Sequence, residues 1–107
     1  MKLRNKDNFK TEVREWAEKL KVQPAQIRVQ KMRGKWASCS PGKWVTFNEA
    51  LFSENRNFQS YVIVHELLHL RIPNHGKLFK SLLSIHVPNW ERWQNYVFDC
   101  LPEDSDL

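Results

Sequence analysis

In the segment DNFKTEVREWAEKLKVQP the apolar residues Phe9, Val13, Trp16, Ala17 and Leu20 recur at the three- and four-residue steps that line one face of a helix. Asp7 or Asn8 stands where an N-cap belongs, and Pro24 lies beyond the end. The period then changes to two. Ile27 and Val29 alternate with Arg28 and Gln30, the turn-forming stretch GKWASCSPG follows, and KWVTFN is again β-branched and aromatic, a pattern that predicts two antiparallel strands joined by a longer loop. FQSYVIVHELLHL is apolar on nearly all sides, which a helix tolerates only when neighbours cover it from several directions, so it is predicted as the central helix. GKLFKSLLSI and NWERWQNYVFDCL predict two further helices separated by HVP, the second with Trp90, Trp93, Val97 and Leu101 along one stripe. With no repeat, low-complexity segment or linker, the chain reads as a single α+β domain over 1–107. A short antiparallel sheet packs on the buried helix, with helices at both ends.

Composition narrows the class. A chain of 107 residues is near the size at which one core holds without staples, and five tryptophans offer large apolar area to fill it. Cys39 and Cys100 stand far apart and in no C-x-x-C pair, so reduced thiols are expected rather than a disulfide scaffold or zinc knuckle. The start, MKLRNKDNFK, has no apolar core, and no run approaches the roughly 18 apolar residues of a membrane span, so the expectation is a cytoplasmic protein with no membrane partner. The net charge of +5 permits nucleic acid as a partner but is spread over several segments. Lys31, Arg33 and Lys35, read as one face of a strand, are its densest run. At the end the sign reverses, because Asp99, Glu103, Asp104 and Asp106 make residues 99–107 an acidic tail with a possible regulatory role.

The chemistry concentrates in HELLHLRIPNH, residues 65–75. Residues four apart on a helix differ by about 40° in azimuth and 6 Å in rise, so His65 and His69 point the same way and can share one ion. Glu66 sits a step around the helix, where its carboxylate reaches a water on that ion more easily than the ion itself, the place of a general base. Had the helix continued, residue 75 would lie about 240° round from His69 and about 9 Å farther along, facing away. Pro73 stops it. Asn74 and Gly76 tolerate turn geometry, so the chain can reverse and bring His75 back as a third ligand. Three imidazoles leave the fourth tetrahedral position of one Zn²⁺ per chain open to water, the arrangement of a hydrolytic rather than a structural site. Glu91 and His86, near the start of the last helix, stay open as alternatives for the third ligand. Tyr61, His86 and Tyr96 are candidates for steadying the transition state. Two histidines and a glutamate on a buried helix would be costly without such a partner.

KMRGKWASCSPGKWVTFNEAL followed by YVIVHELLHLRIPNHGKLFK resembles the YgjP-like metallopeptidase domain over roughly residues 30–93, and the small size with a histidine as third ligand resembles the minigluzincins. The resemblance implies a zincin-like fold, zinc on His65, His69 and His75, Glu66 as the base, a peptide or protein substrate, and latency imposed by a C-terminal segment. Ala37, Gly76 and Lys80 depart from the family pattern, which has glycine, serine and tryptophan at those places. The expected activity is zinc-dependent peptide hydrolysis, with WVTFN as a cleft-edge strand that could pair with an extended substrate. Two other readings are a zinc-dependent nucleotide pyrophosphohydrolase and a metal-stabilised nucleic-acid-binding module.

Overall fold

The structure, a computed structural model, describes residues 5–99, with side chains through Tyr96. The side chains of the acidic tail and Cys100 thus lie outside the described residues. Helix α1, Lys6–Leu20, buries Phe9, Val13, Ala17 and Leu20 along the expected face. Its cap is Asn5 rather than Asp7 or Asn8: the Asn5 side-chain oxygen accepts the Asn8 N–H at 2.8 Å. Strands β1 (Gln26–Gln30), β2 (Ala37–Cys39) and β3 (Trp44–Asn48) follow, then a 3₁₀ turn at Glu49–Ser53 and helices α2 (Arg56–Leu68), α3 (Lys77–His86) and α4 (Trp90–Asp99).

The α+β class stands, but the sheet is mixed. Its order is β1-β3-β2, with β1 parallel and β2 antiparallel to β3. The expected antiparallel pairing of the first and last strands is therefore corrected, because part of the presumed loop is itself a strand. Ala37–Cys39 runs back along β3 and turns at Ser40–Lys43, where the Lys43 N–H donates to the Ser40 carbonyl at 3.0 Å and Lys43 takes φ 66°. The most apolar strand then takes the centre. Val45 and Phe47 of β3 are fully buried and sit in register with Ile27 and Val29 of β1, so these side chains share the helix-facing side. WVTFN is accordingly a central strand hydrogen-bonded on both sides, and the short polar β2, packed against α2, is one of the two edge strands. Lys31, Arg33 and Lys35 lie in the loop between β1 and β2 and share no strand face.

Helix α2 is covered from all directions that the sequence demands: α1, α3, α4 and β2 all pack on it. Phe58, Ile63, Val64 and Leu67 are wholly buried. Not all tryptophans joined the core. Trp36 and Trp93 are buried, whereas Trp44 is 44% exposed and carries the Arg28 guanidinium 5.3 Å over its ring. Among the described residues no helix is long and apolar enough to cross a membrane.

One buried polar side chain ties the sheet to the loop ahead of β2. Asn48, 3% exposed at the end of β3, donates from Nδ2 to the carbonyls of Met32 and Lys35, both at 3.0 Å. Its Oδ1 accepts the Ala50 N–H at 2.9 Å, and its own N–H donates to the Trp36 carbonyl. Asn48→Ala strips three bonds and leaves buried backbone groups unpaired, so it should lower stability by about 2–4 kcal/mol. Urea unfolding measures this, and a loss below about 1 kcal/mol would show that the loop is held by other means.

Candidate metal centre and cleft

Helix α2 ends before the proline. Its last helical residue is Leu68, and the Leu70 and Arg71 N–H groups donate three residues back in a tightened final turn that lets the chain leave at Ile72 and Pro73. His69 keeps helical backbone angles, φ −65° and ψ −15°, so it still shares a face with His65. The segment after Pro73 then reverses. The Asn74 side-chain oxygen accepts the Gly76 N–H at 3.1 Å, and Gly76 caps α3, which starts at Lys77.

The outcome is a cluster of three imidazoles. One ligand atom from each of His65, His69 and His75 lies within 4.8 Å of the others, and the Nε2 atoms of His69 and His75 face each other at 3.1 Å. Nitrogens that close need a proton or a cation between them. Zn–N bonds of about 2.0–2.1 Å in a tetrahedral set put ligand nitrogens about 3.3–3.4 Å apart, so the residues present fit such an ion. The His69 Nδ1 lies 3.2 Å from the Ile72 carbonyl; a proton there leaves the Nε2 lone pair aimed into the cluster. Burial, and then the nearness of His65, lower the proton affinity of both His69 and His75, which favours the neutral rings that a metal requires.

Phe79 is the organising side chain that sequence reasoning missed. It is 1% exposed, and its ring centroid lies 5.3, 4.8 and 4.9 Å from those of His65, His69 and His75. It wedges beneath all three rings and limits their rotation. Its signal was the four-residue step from His75, one turn into α3, on a helix whose buried residues are Phe79 and Leu83.

Glu66 is only 14% exposed, and one of its oxygens lies 3.5 Å from the His65 Nδ1. It faces the sheet side, in a recess lined by Lys35, Trp36, Ala37, Tyr61 and His65. On the other side of the cluster a cleft of about 390 Å³ lies between α3 and α4, lined by Tyr61, His75, Phe79, Lys80 and Trp90 among others. His65 and Tyr61 line both. Burial first, and the Glu66 carboxylate second, push the Tyr61 phenol up to about 12, so it stays a neutral hydrogen-bond donor. The same two causes raise Cys39 on β2.

The other candidates are placed elsewhere. The His86 ring packs edge-on against Trp16 of α1 at 5.9 Å, and the Tyr96 hydroxyl donates to Glu54 at 2.8 Å. Neither lines the recess or the cleft. Glu91 is exposed in the first turn of α4 and outside the histidine cluster.

A family model described as YgjP-like, metallopeptidase domain, matches residues 1–97. A comparison with curated proteins gives no match. Among solved structures, the metallopeptidase zymogen jannalysin of Methanocaldococcus jannaschii superposes with a TM-score of 0.75 at 24% identity, covering 85% of this chain and 94% of that one. The metallopeptidase zymogen abylysin of Pyrococcus abyssi gives 0.72 at 16% identity, covering 85% and 92%. These two likenesses establish the fold. The family supports peptidase activity and implies a catalytic metal.

The geometry makes a prediction about the third ligand. His75→Ala should weaken zinc by more than the roughly 10- to 100-fold that loss of an outer-shell partner costs, while Glu91→Gln should bind zinc like the parent. Competition with a chromophoric chelator decides it, and the opposite pattern would move the site towards α4.

Proposed function

We propose that this chain, which belongs to the YgjP-like metallopeptidase family, is a zinc-dependent peptidase in which His65, His69 and His75 hold one metal ion and Glu66 is the general base. The observation that carries the reading is the convergence of three imidazoles beside a carboxylate that is outside the ligand set. Zinc on such a site supplies a Lewis acid that acidifies water and polarises a carbonyl. The chain's own groups do the rest. Glu66 takes a proton from the attacking water as the new C–O bond forms and then passes it to the amide nitrogen, so that the C–N bond breaks and the amine departs. The neutral Tyr61 hydroxyl, in both the recess and the cleft, donates to the oxygen on which charge develops. The unpaired side of β2 offers backbone groups to an extended peptide across the recess, the role first read into WVTFN.

Glu66→Gln should keep about one zinc per chain and lose roughly 10²- to 10⁴-fold in peptide hydrolysis. His65→Ala and His69→Ala should lose metal and activity together. Metal analysis beside a quenched-peptide assay reads both quantities. Loss of zinc in the Glu66 variant would place that residue among the ligands, and hydrolysis of nucleoside triphosphates with no peptide cleavage would replace the peptidase reading by the pyrophosphohydrolase one.

We further assign the acidic tail a restraining role. Asp99, Cys100, Glu103, Asp104 and Asp106 bring both carboxylates and a thiol, and jannalysin and abylysin are named as zymogens. Truncation after Leu101, with Cys100→Ser tested separately, should raise peptide cleavage, and added tail peptide should reverse the gain. Unchanged rates in both variants would leave the tail without this role.

A further inference from the structure

The cleft between α3 and α4 has walls of unlike chemistry. Phe79 and Leu83 are 1% and 2% exposed and Trp90 is partly buried, so its floor is apolar. Lys80 of α3 and Gln94 of α4 line it from two helices, and both are exposed to solvent. Lys80 forms no ion pair among the described residues. It lines the same cleft as His65 and His75, so it stands beside the histidine cluster. The nearby carboxylate, Glu66, lines the opposite flank and not this cleft. A cation at an apolar cleft beside the histidine cluster, with no ion-pair partner among the described residues, calls for an anion on the substrate.

We propose that this cleft is a substrate subsite selective for a carboxylate, with Lys80 as the specificity-determining residue. The inference rests on the peptidase reading above. The apolar floor takes the methylenes of a glutamate, Lys80 takes the carboxylate, and the Gln94 amide is placed to donate a second hydrogen bond. A peptide's terminal carboxylate, one residue beyond the cut, has the same chemistry. Either way the selected substrate is acidic next to the scissile bond.

The test uses the zinc-loaded full chain and quenched peptides. One series carries Glu, Gln or Lys at each position flanking the cut, with blocked ends, and a second compares free with amidated C termini. Wild type should favour the carboxylate over its amide by roughly 5-fold in kcat/KM, less at high salt. Lys80→Met should abolish the preference, Lys80→Glu should invert it towards Lys, and Lys77→Met, a neighbouring exposed cation that does not line the cleft, should preserve it. A preference within the blocked series assigns the site to a side chain, and one confined to free ends assigns it to the terminal carboxylate. Calorimetric binding of the same peptides to the zinc-loaded Glu66→Gln variant should give the same order. Equal rates for Glu and Gln peptides together with equal rates for free and amidated C termini, or a preference that survives Lys80→Met, overturns the subsite while leaving the peptidase reading intact. If neither wild type nor the chain truncated after Leu101 cleaves any peptide, the peptidase reading fails, and calorimetry still judges the cleft: indifference to the carboxylate overturns it.

Discussion

The site turns on the strip that its neighbours leave uncovered along the second half of α2. Helices pack on its other sides together with an edge strand, and Phe58, Ile63, Val64 and Leu67 are sealed from water. A histidine or glutamate in place of those four would sit among apolar neighbours at a desolvation cost. His65, Glu66 and His69 lie on a strip of the helix left open by its neighbours, and all three are partly exposed. Burial of the rest of the helix fixes that strip in space, so the chemistry rides on the most rigid element available.

Two side chains outside the histidine cluster hold the flanks. Phe79 holds one, as the first buried residue of α3, pressing on all three imidazoles and setting how α3 approaches α2. Asn48 holds the other. By gripping two carbonyls of the loop before β2 it sets where the edge strand begins and where Trp36 enters the core against Phe58, at 5.2 Å between ring centroids. The recess around Glu66 is bounded by that same stretch of chain. A short polar edge strand is a weak structural element by itself, with few cross-strand pairs, so a buried amide at its root does what strand length would do in a larger domain.

How much was legible depended on whether a feature was local. The helices follow from periodicity, and the approach of His65, His69 and His75 follows from helical spacing plus a proline, because each step involves only neighbours in sequence. The sheet was not legible in the same way. Ile27, Val29, Val45 and Phe47 announce two strands but not their relative direction, which is decided by a third strand hidden in the turn-like letters Ala37, Ser38 and Cys39. Asn48 reads locally as the polar end of a strand, and its partners lie 13 and 16 residues back. His86 and Tyr96 failed to meet the cluster for a similar reason. Their direction depends on how α3 and α4 dock, and nothing within either helix encodes that.

The same docking gives the centre its polarity. Glu66 points to the sheet side of the histidines and Lys80 stands on the helical side, with His65 between the two environments. A carboxylate and an ammonium placed within ion-pair distance would commit to each other, and a substrate would have to break that pair before using either. Kept on opposite flanks, each is open to a different part of a peptide laid across the imidazoles. The basic side chain at position 80 therefore shapes one wall of the cleft and leaves the recess of Glu66 untouched. A side chain three residues earlier would have had no such effect, since Lys77 on the same helix does not line the cleft at all.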